Sequence, residues 1–433
     1  MNAAQNPRPL PGPGPERAAR REIARLLEIA TRFYRSLLPG SWVPGYLARR
    51  GFGAAVLQHW QAGYAPAEWD ALTRHLRAGG YPDTLIEAAG LARRSRPGAL
   101  IDTFRDRVML PIRSSEGTIV AFIGRASEHA GPRVPKYLNS PSTGLYAKSE
   151  VLFGLWEARG SLAGGARPVI VEGPFDAIAV TAACPRRYAG ISPCGAVLTA
   201  QQVEALYRAI DLHTAGVLVA FDSDQAGHRA AISAYRLLSP LTGNATAVIL
   251  PLGRDPAQVL HDHGPAALAG MLATHTQPLA DLVIDAEVSR WSQWLRYPEG
   301  QIKALRATAP LIAAMPVAHV ARHVARLAAM LGLDHATVTE AVTDALTELI
   351  AAGRIGSGQN ASAPGADLRM RPPAGLPEAL RTQASKAART AALDFPGSAQ
   401  QVIGQAASPE PTDGLSGPAP SPEVRLHARR VPG

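Results

Sequence analysis

Two short acidic segments hold the residues whose types and spacing could do chemistry. In the first, the apolar run Val169-Ile170-Val171 leads into Glu172, Gly173 and then Asp176; in the second, Val217-Leu218-Val219-Ala220-Phe221 leads into Asp222 and Asp224. In extended backbone, residues two apart point the same way, so Asp222 and Asp224 are expected to project together from a sheet edge. Gly173 permits a tight turn before the helix that Asp176 opens. Four carboxylates gathered at one edge repel one another unless cations stand between them. Hard oxygen donors at that density suit Mg²⁺ or Mn²⁺. An acidic residue after a strand is often only a helix N-cap, and Asp176 alone would be read that way. Two carboxylate-tipped strands, with Gly173 and Gly227 beside them, favour a metal site.

Such a site needs a sheet to bring its parts together. Between Arg167 and Leu252, apolar strands (Val169 to Val171, Val217 to Phe221, Ala247 to Leu250) alternate with helical stretches (Asp176 to Ala183, Ala200 to Ile210, Ala226 to Leu238). That alternation predicts a parallel α/β sheet with strands buried on both faces. The carboxyl ends of strands form the functional crevice of such sheets. Upstream, from about Thr103 to Leu155, the texture is mixed and strand-rich: Val108 to Ile112 and Thr118 to Ile123 flank Ser114-Ser115-Glu116-Gly117, a hairpin connection. A helix is expected from Glu16 to about Leu38, on the spacing of Ile23, Leu26, Leu27, Ala30, Phe33, Tyr34 and Leu37, with Pro39-Gly40 ending it. After Pro278 the pattern is helical to about Ala352, with Val317, Val320, Val324, Leu327 and Leu331 on one face. The expected organisation is a multi-domain α/β and α+β chain. It comprises a flexible tail (1–16), a mixed basic subdomain (17–165), a parallel-sheet domain (166–276), a helical bundle (277–352) and a disordered Pro/Ala/Gly-rich tail (353–433), in which 377–393 would form a basic helix only when bound.

Composition narrows the partners. The 44 Lys plus Arg against 35 Asp plus Glu give a net charge of +9, which favours a polyanion such as nucleic acid. Cys184 and Cys194, the two cysteines, lack CxxC spacing, so neither a disulfide framework nor a zinc site is expected. With no signal-like start and no apolar run of membrane-spanning length, a cytoplasmic, membrane-free protein is the expectation. His319 and His323 lie four apart, but no Glu follows His319 as a zinc protease requires, so both are expected at the surface. His261-Asp262-His263 is expected to be a solvated loop.

A basic block precedes the acidic segments: Phe104-Arg105-Asp106-Arg107 running on to Ile112, Gly124-Arg125, Pro135-Lys136-Tyr137-Leu138-Asn139-Ser140-Pro141, and Lys148. Arg107, Arg125, Lys136, Asn139 and Lys148 would give the strand-rich subdomain a cationic face able to hold nucleic-acid phosphates or a triphosphate. Two of the chain's four lysines fall within thirteen residues here, which suggests sites wanting a compact ammonium.

The E-G-x-x-D and D-x-D pair resembles the Toprim domain shared by DnaG primases, topoisomerases and some nucleases. The basic block resembles the bacterial DnaG-type primase catalytic core nearly word for word. That likeness continues through Leu152-Phe153-Gly154-Leu155 and back to Gly63-Tyr64-Ala65-Pro66, Trp69-Asp70 and Tyr46 to Gly51, and it spans roughly residues 20 to 350. The resemblance adds Asp255 as the first member of a third acidic element, whose second member falls on Ala257 in this chain. It implies two or more Mg²⁺ or Mn²⁺ ions on Glu172, Asp222, Asp224 and Asp255, with Asp176 orienting or supplementing that shell and Glu172 assisting proton removal. It further implies a single-stranded DNA template and ribonucleoside triphosphates bound by Arg107, Arg125, Lys136, Asn139 and Lys148, stacking of template bases on Tyr137, and synthesis of short RNA primers in DNA replication, in a chromosomal or mobile-element setting. The family's zinc ribbon is expected to be missing, so either a separate zinc-binding protein supplies start-site recognition, or the chain is a mobile-element or accessory primase with relaxed start sites, or it no longer primes; a replicative helicase is a candidate partner. Two alternatives stay open: a Toprim phosphodiesterase or nuclease using the same carboxylates, and a non-catalytic single-stranded DNA-binding protein.

Overall fold

The computed structural model describes residues 15–352 apart from Pro97, Ala196, Ser223 and Pro240. The expected tails, up to residue 14 and from 353 on, and the stretch 377–393, lie outside the described residues.

The first part comprises α1 (Pro15–Leu37), α2 (Val43–Arg49), α3 (Ala54–His59), β1 (Gly63–Ala65), α4 (Ala71–Ala78), α5 (Asp83–Ala88), β2 (Ala92–Arg94), β3 (Leu100–Asp102), β4 (Arg107–Arg113), β5 (Ile119–Ala126) and β6 (Tyr137–Asn139). Strands β1, β4, β5 and β6 form one antiparallel sheet in the order β1-β4-β5-β6, and β2 pairs with β3. The expected hairpin is β4–β5, whose turn places Gly117 at φ +90°. Period-two alternation sorts the side chains of β4, and a register shift at Ile112/Arg113, opposite Ile119 to Ala121, changes the phase on β5. Val108, Leu110, Ile112, Val120 and Ile123 face one core, while Met109, Ile119 and Phe122 face another that also contains Ile23, Leu26, Leu27, Ala30 and Tyr34 of α1.

The second part comprises α6 (Leu155–Ala163), β7 (Arg167–Val171), α7 (Pro174–Ala183), β8 (Tyr188–Ile191), α8 (Ala200–Ala209), α9 (Leu212–Ala215), β9 (Val217–Ala220), α10 (Gln225–Leu238), β10 (Ala245–Val248), α11 (Pro256–Thr274) and β11 (Thr276–Pro278). The sheet order is β11-β10-β9-β7-β8; β10, β9, β7 and β8 are parallel, and β11 is antiparallel at the edge. Strand order reverses between β7 and β9, which makes the carboxyl ends of those two strands the topological switch point. As expected, these strands are buried on both faces. Val169, Val171, Leu218, Ala220 and Val248 join the core shared with β4 and β5, and Ile170, Val217, Val219 and Ala247 join the opposite one.

Helices α12 (Leu279–Ser289), α13 (Pro298–Ala313), α14 (Val317–Leu331) and α15 (His335–Ala351) cover that opposite face. They share a single core with α6, α8 and α10, so the helical part is a further layer on the sheet. The surface expectation for His323 is overturned: it is 1% exposed, with Nε2 3.0 Å from the Asp281 carboxylate and Nδ1 2.7 Å from the His319 carbonyl. One turn of helix carries His319 to the rim and His323 inward, where Asp281 of α12 supplies the partner a buried imidazole requires. Among the described residues no helix is long and apolar enough to cross a membrane.

Candidate active site

The acidic residues gather at the switch point. Glu172 follows β7, Asp222 follows β9, and Asp224 and Asp255 stand at the N-caps of α10 and α11. Glu172 is held from two sides. Its carboxylate accepts from the Asp222 amide at 3.1 Å, and its carbonyl accepts from the buried Ser192 hydroxyl at 2.8 Å. Asp224 accepts from the Gly227 amide at 2.8 Å, and Asp255 from the Gln258 amide at 2.6 Å. Asp176, in the first turn of α7, accepts from the Gly173 amide at 3.1 Å and the Ala257 amide at 3.3 Å. Ala257, where the resemblance looks for a second acidic residue, thus supplies a backbone donor to Asp176. Three helix N-termini converge on the crevice, and their unpaired amides and dipoles hold the carboxylates in place.

These contacts do not cancel the repulsion. Burial, then the charge of Asp222, raises Glu172 above the usual carboxylate range. Burial and then Asp255 raise Asp176, which is almost fully enclosed. Burial, then Asp255 and Asp224, raise Asp222, against the opposing pull of Lys136. Each charged form is disfavoured by its neighbours, the condition a divalent cation relieves. The donors are all hard oxygens, which fits Mg²⁺ or Mn²⁺. Among the described residues, no group of three His, Cys, Asp or Glu side chains closes on one point; the carboxylates ring the crevice and form no finished cage.

The basic residues divide into two kinds. Lys136 and Lys148 are exposed. Lys136 acts electrostatically on Asp222, and the stem of Lys148 runs along Gly195, where a Cβ would stand 2.9 Å from Lys148 Cε. Arg107 and Arg125, by contrast, are each 4% exposed. Arg107 donates to the Gly124 carbonyl at 3.1 Å and the Pro135 carbonyl at 2.9 Å, fastening the segment that carries Lys136. The Arg125 guanidinium lies over the Tyr46 ring at 4.6 Å and near Phe175 at 5.9 Å. Asn139 donates to the Cys194 carbonyl at 2.9 Å, joining β6 to the loop after β8. Tyr137 packs beside Phe175, with ring centroids 6.4 Å apart.

Sequence reasoning missed Gln202 and gave Trp69 no role. Gln202 is 1% exposed, and its amide nitrogen lies 2.9 to 3.1 Å from the carbonyls of Lys148, Val151 and Pro193. The Trp69 side chain is 62% exposed with the Arg105 guanidinium 4.3 Å above its ring. That exposure and the arginine over the ring are visible only in the structure.

The chain matches the family models for the DNA primase catalytic core, N-terminal domain, over residues 34–159 and for a Toprim-like domain over residues 169–260. A DNA primase of Streptomyces coelicolor is 34% identical over 306 residues, which cover 70% of this chain and 47% of that protein. A Mycobacterium tuberculosis DNA primase is 35% identical over 270 residues, covering 62% of this chain and 41% of its own. The chain therefore spans less than half the length of these curated relatives. Among solved structures, the RNA polymerase domain of M. tuberculosis primase DnaG in complex with double-stranded DNA superposes with a TM-score of 0.60 at 31% identity, covering 73% of this chain and 99% of that one. A DNA primase domain from Pseudomonas aeruginosa superposes with a TM-score of 0.62 at 30% identity, covering 74% and 99%. A DnaG primase catalytic domain bound to single-stranded DNA gives a TM-score of 0.61 at 29% identity. Toprim primases depend on metal ions in general. With both family models matched in order, the carboxylates at the switch point, and nearly the whole of solved catalytic domains covered, the chain belongs to the DnaG-type DNA primase catalytic-core family.

Proposed function

We propose that this crevice joins ribonucleotides on a single-stranded DNA template, making the chain a cytoplasmic primase, a DNA-directed RNA polymerase. The observation that carries the reading is the juxtaposition of Glu172, Asp222, Asp224 and Asp255 at one strand-order reversal with Lys136 acting on Asp222 across the crevice. Polymerisation needs this pairing of acid and base, because the acidic side holds cations while the basic side holds phosphates. Mg²⁺ or Mn²⁺ bound by Glu172, Asp222, Asp224 and Asp255 would supply Lewis acidity for attack on the α-phosphate and for release of pyrophosphate. The remaining work falls to the chain. Lys136 and Lys148 contact the triphosphate or template phosphates, Arg107 and Arg125 brace the strands that present them, and Asp176 anchors the start of α7 to α11. The exposed Trp69 with Arg105 offers a stacking platform for unpaired bases. Relatives of known structure have been seen with single-stranded and with double-stranded DNA, which supports a nucleic-acid template.

Labelled ribonucleotide incorporation on single-stranded DNA with Mg²⁺ or Mn²⁺ tests the reading. The wild-type chain should yield short RNA, and Asp224→Ala, exposed at a helix cap, should yield none while melting as a folded protein. DNA binding without incorporation would replace the polymerase with a binding module, and template cleavage would replace it with a phosphodiesterase.

A further inference from the structure

Beside the first residues of β7 and β8 and the junction of α11 with β11 lies a cavity of about 350 Å³ lined by Arg167, Arg186, Arg187, Tyr188, Leu272 and Thr276, among others. Its walls come from the first residue of β7, the segment before β8, the end of α11 and the start of β11. The three guanidinium groups have no carboxylate within ion-pair distance among the described residues. Arg167 is half-buried. One of its terminal nitrogens lies 3.0 to 3.2 Å from the Val217 and Asn244 carbonyls, Asn244 Oδ1 and Thr246 Oγ1, while its Nε is covered and has no acceptor. Arg186 and Arg187 are exposed. A partly buried cation without a counter-charge is costly, and burial lowers the Arg167 pKa accordingly. No acidic side chain lines the cavity to offset that cost.

We infer that this cavity is a second phosphate-binding site, for a small polyphosphate: pyrophosphate or the phosphate tail of a free nucleotide. Guanidinium forks match phosphate oxygens in geometry and charge. The volume lies at the small end for ligand pockets. The lining offers no exposed aromatic on which a base could stack, so recognition falls on the phosphates. The cavity shares no lining residue with the crevice and does not depend on the polymerase reading.

The test titrates tripolyphosphate, ATP and adenosine into the full chain by calorimetry, in EDTA to suppress metal-dependent binding at the crevice. Arg186→Ala/Arg187→Ala is the variant, since both side chains are exposed and its melting should match the wild type. Tripolyphosphate and ATP should bind alike and adenosine should not, with affinity falling about tenfold or more in the double variant. ATP binding tighter than tripolyphosphate would make the base a recognised group and shift the source to free nucleotide alone. No binding by the wild type, or affinity unchanged in the double variant, would overturn the site. A single-stranded oligonucleotide forms the last arm: loss of its binding in the variant with polyphosphate affinity intact would make this face a nucleic-acid track and overturn the proposal as well.

Discussion

Gly227 shows how far the crevice depends on single atoms. A Cβ at that position would stand 2.0 Å from the Asp222 carbonyl oxygen, so the first turn of α10 can approach the end of β9 only without a side chain. Gly227→Ala is therefore expected to push Asp222 and the helix start apart, costing about 1–3 kcal/mol of stability and most of the ribonucleotide incorporation. Gly243→Ala meets nothing within 4 Å and serves as the control. Denaturant melts of both variants beside the incorporation assay check this, and a Gly227→Ala chain as stable and active as the control would refute the packing argument. The sequence marked Gly227 as a neighbour of the carboxylates. Its reason, a backbone contact with Asp222, is visible only in three dimensions. Asp224 declares itself in the sequence as a strand-end carboxylate and Asp255 only through the family resemblance, yet each accepts from a helix amide, so the proposed ligands are also helix caps.

Among the elements, the segment carrying Lys148 is pinned to α8 by a polar staple. Besides the three carbonyls near its amide nitrogen, Gln202 accepts from the Thr199 amide at 3.1 Å, and the Thr199 hydroxyl donates to the Ser149 carbonyl at 2.5 Å. Gln202→Leu keeps the volume and removes the donors. The buried carbonyls left without partners should lower stability by about 1–3 kcal/mol. If Lys148 holds the triphosphate, KM for nucleotides should rise more than kcat falls, and steady-state kinetics separate the two; an unchanged KM would detach Lys148 from substrate. A second cross-element contact, Asp102 accepting from the amides of Leu72 and Thr73 at 2.8 and 3.0 Å, caps α4 from β3. The Thr199–Gln202 capping box is local, but its contacts with Lys148, Ser149 and Val151 and the Asp102 cap join residues dozens of positions apart and were not legible in the sequence. Helices and hairpin, set by local periodicity and turn residues, were legible. The short strands β1, β6, β8 and β11 were not, being three or four residues each and defined by the partners they pair with.

For the whole molecule, the layers couple the crevice carboxylates to stability. Glu172, Asp176 and Asp222 all have folded pKa values raised by burial and by one another. A raised carboxylate favours the native state most fully below its unfolded pKa of about 4, and that contribution is lost as pH rises through the folded value. The metal-free chain should therefore lose stability from mildly acidic pH toward neutrality on their account. Asp102 and Glu157, also raised by burial, act in the same direction. Mg²⁺ should restore only the crevice share, so thermal melts with EDTA and with Mg²⁺ should diverge as pH rises and converge under acid. Asp222→Asn should raise the metal-free Tm and shrink the Mg²⁺ response. Parallel curves across the pH range would count against cation binding at these carboxylates.

By itself the sequence determined the chemistry on offer: which strands end in carboxylates, which segment is basic, and where helices and the hairpin run. Those features follow from local spacing, where backbone geometry alone dictates which side chains share a face. Only the tertiary structure decided that β7 and β9 are neighbours at a strand-order reversal, that Arg107 and Arg125 brace the basic flank from inside, and that the terminal helices share the sheet's own core. Each depends on which distant segments pack together, and that is settled by burying both faces of two sheets at once.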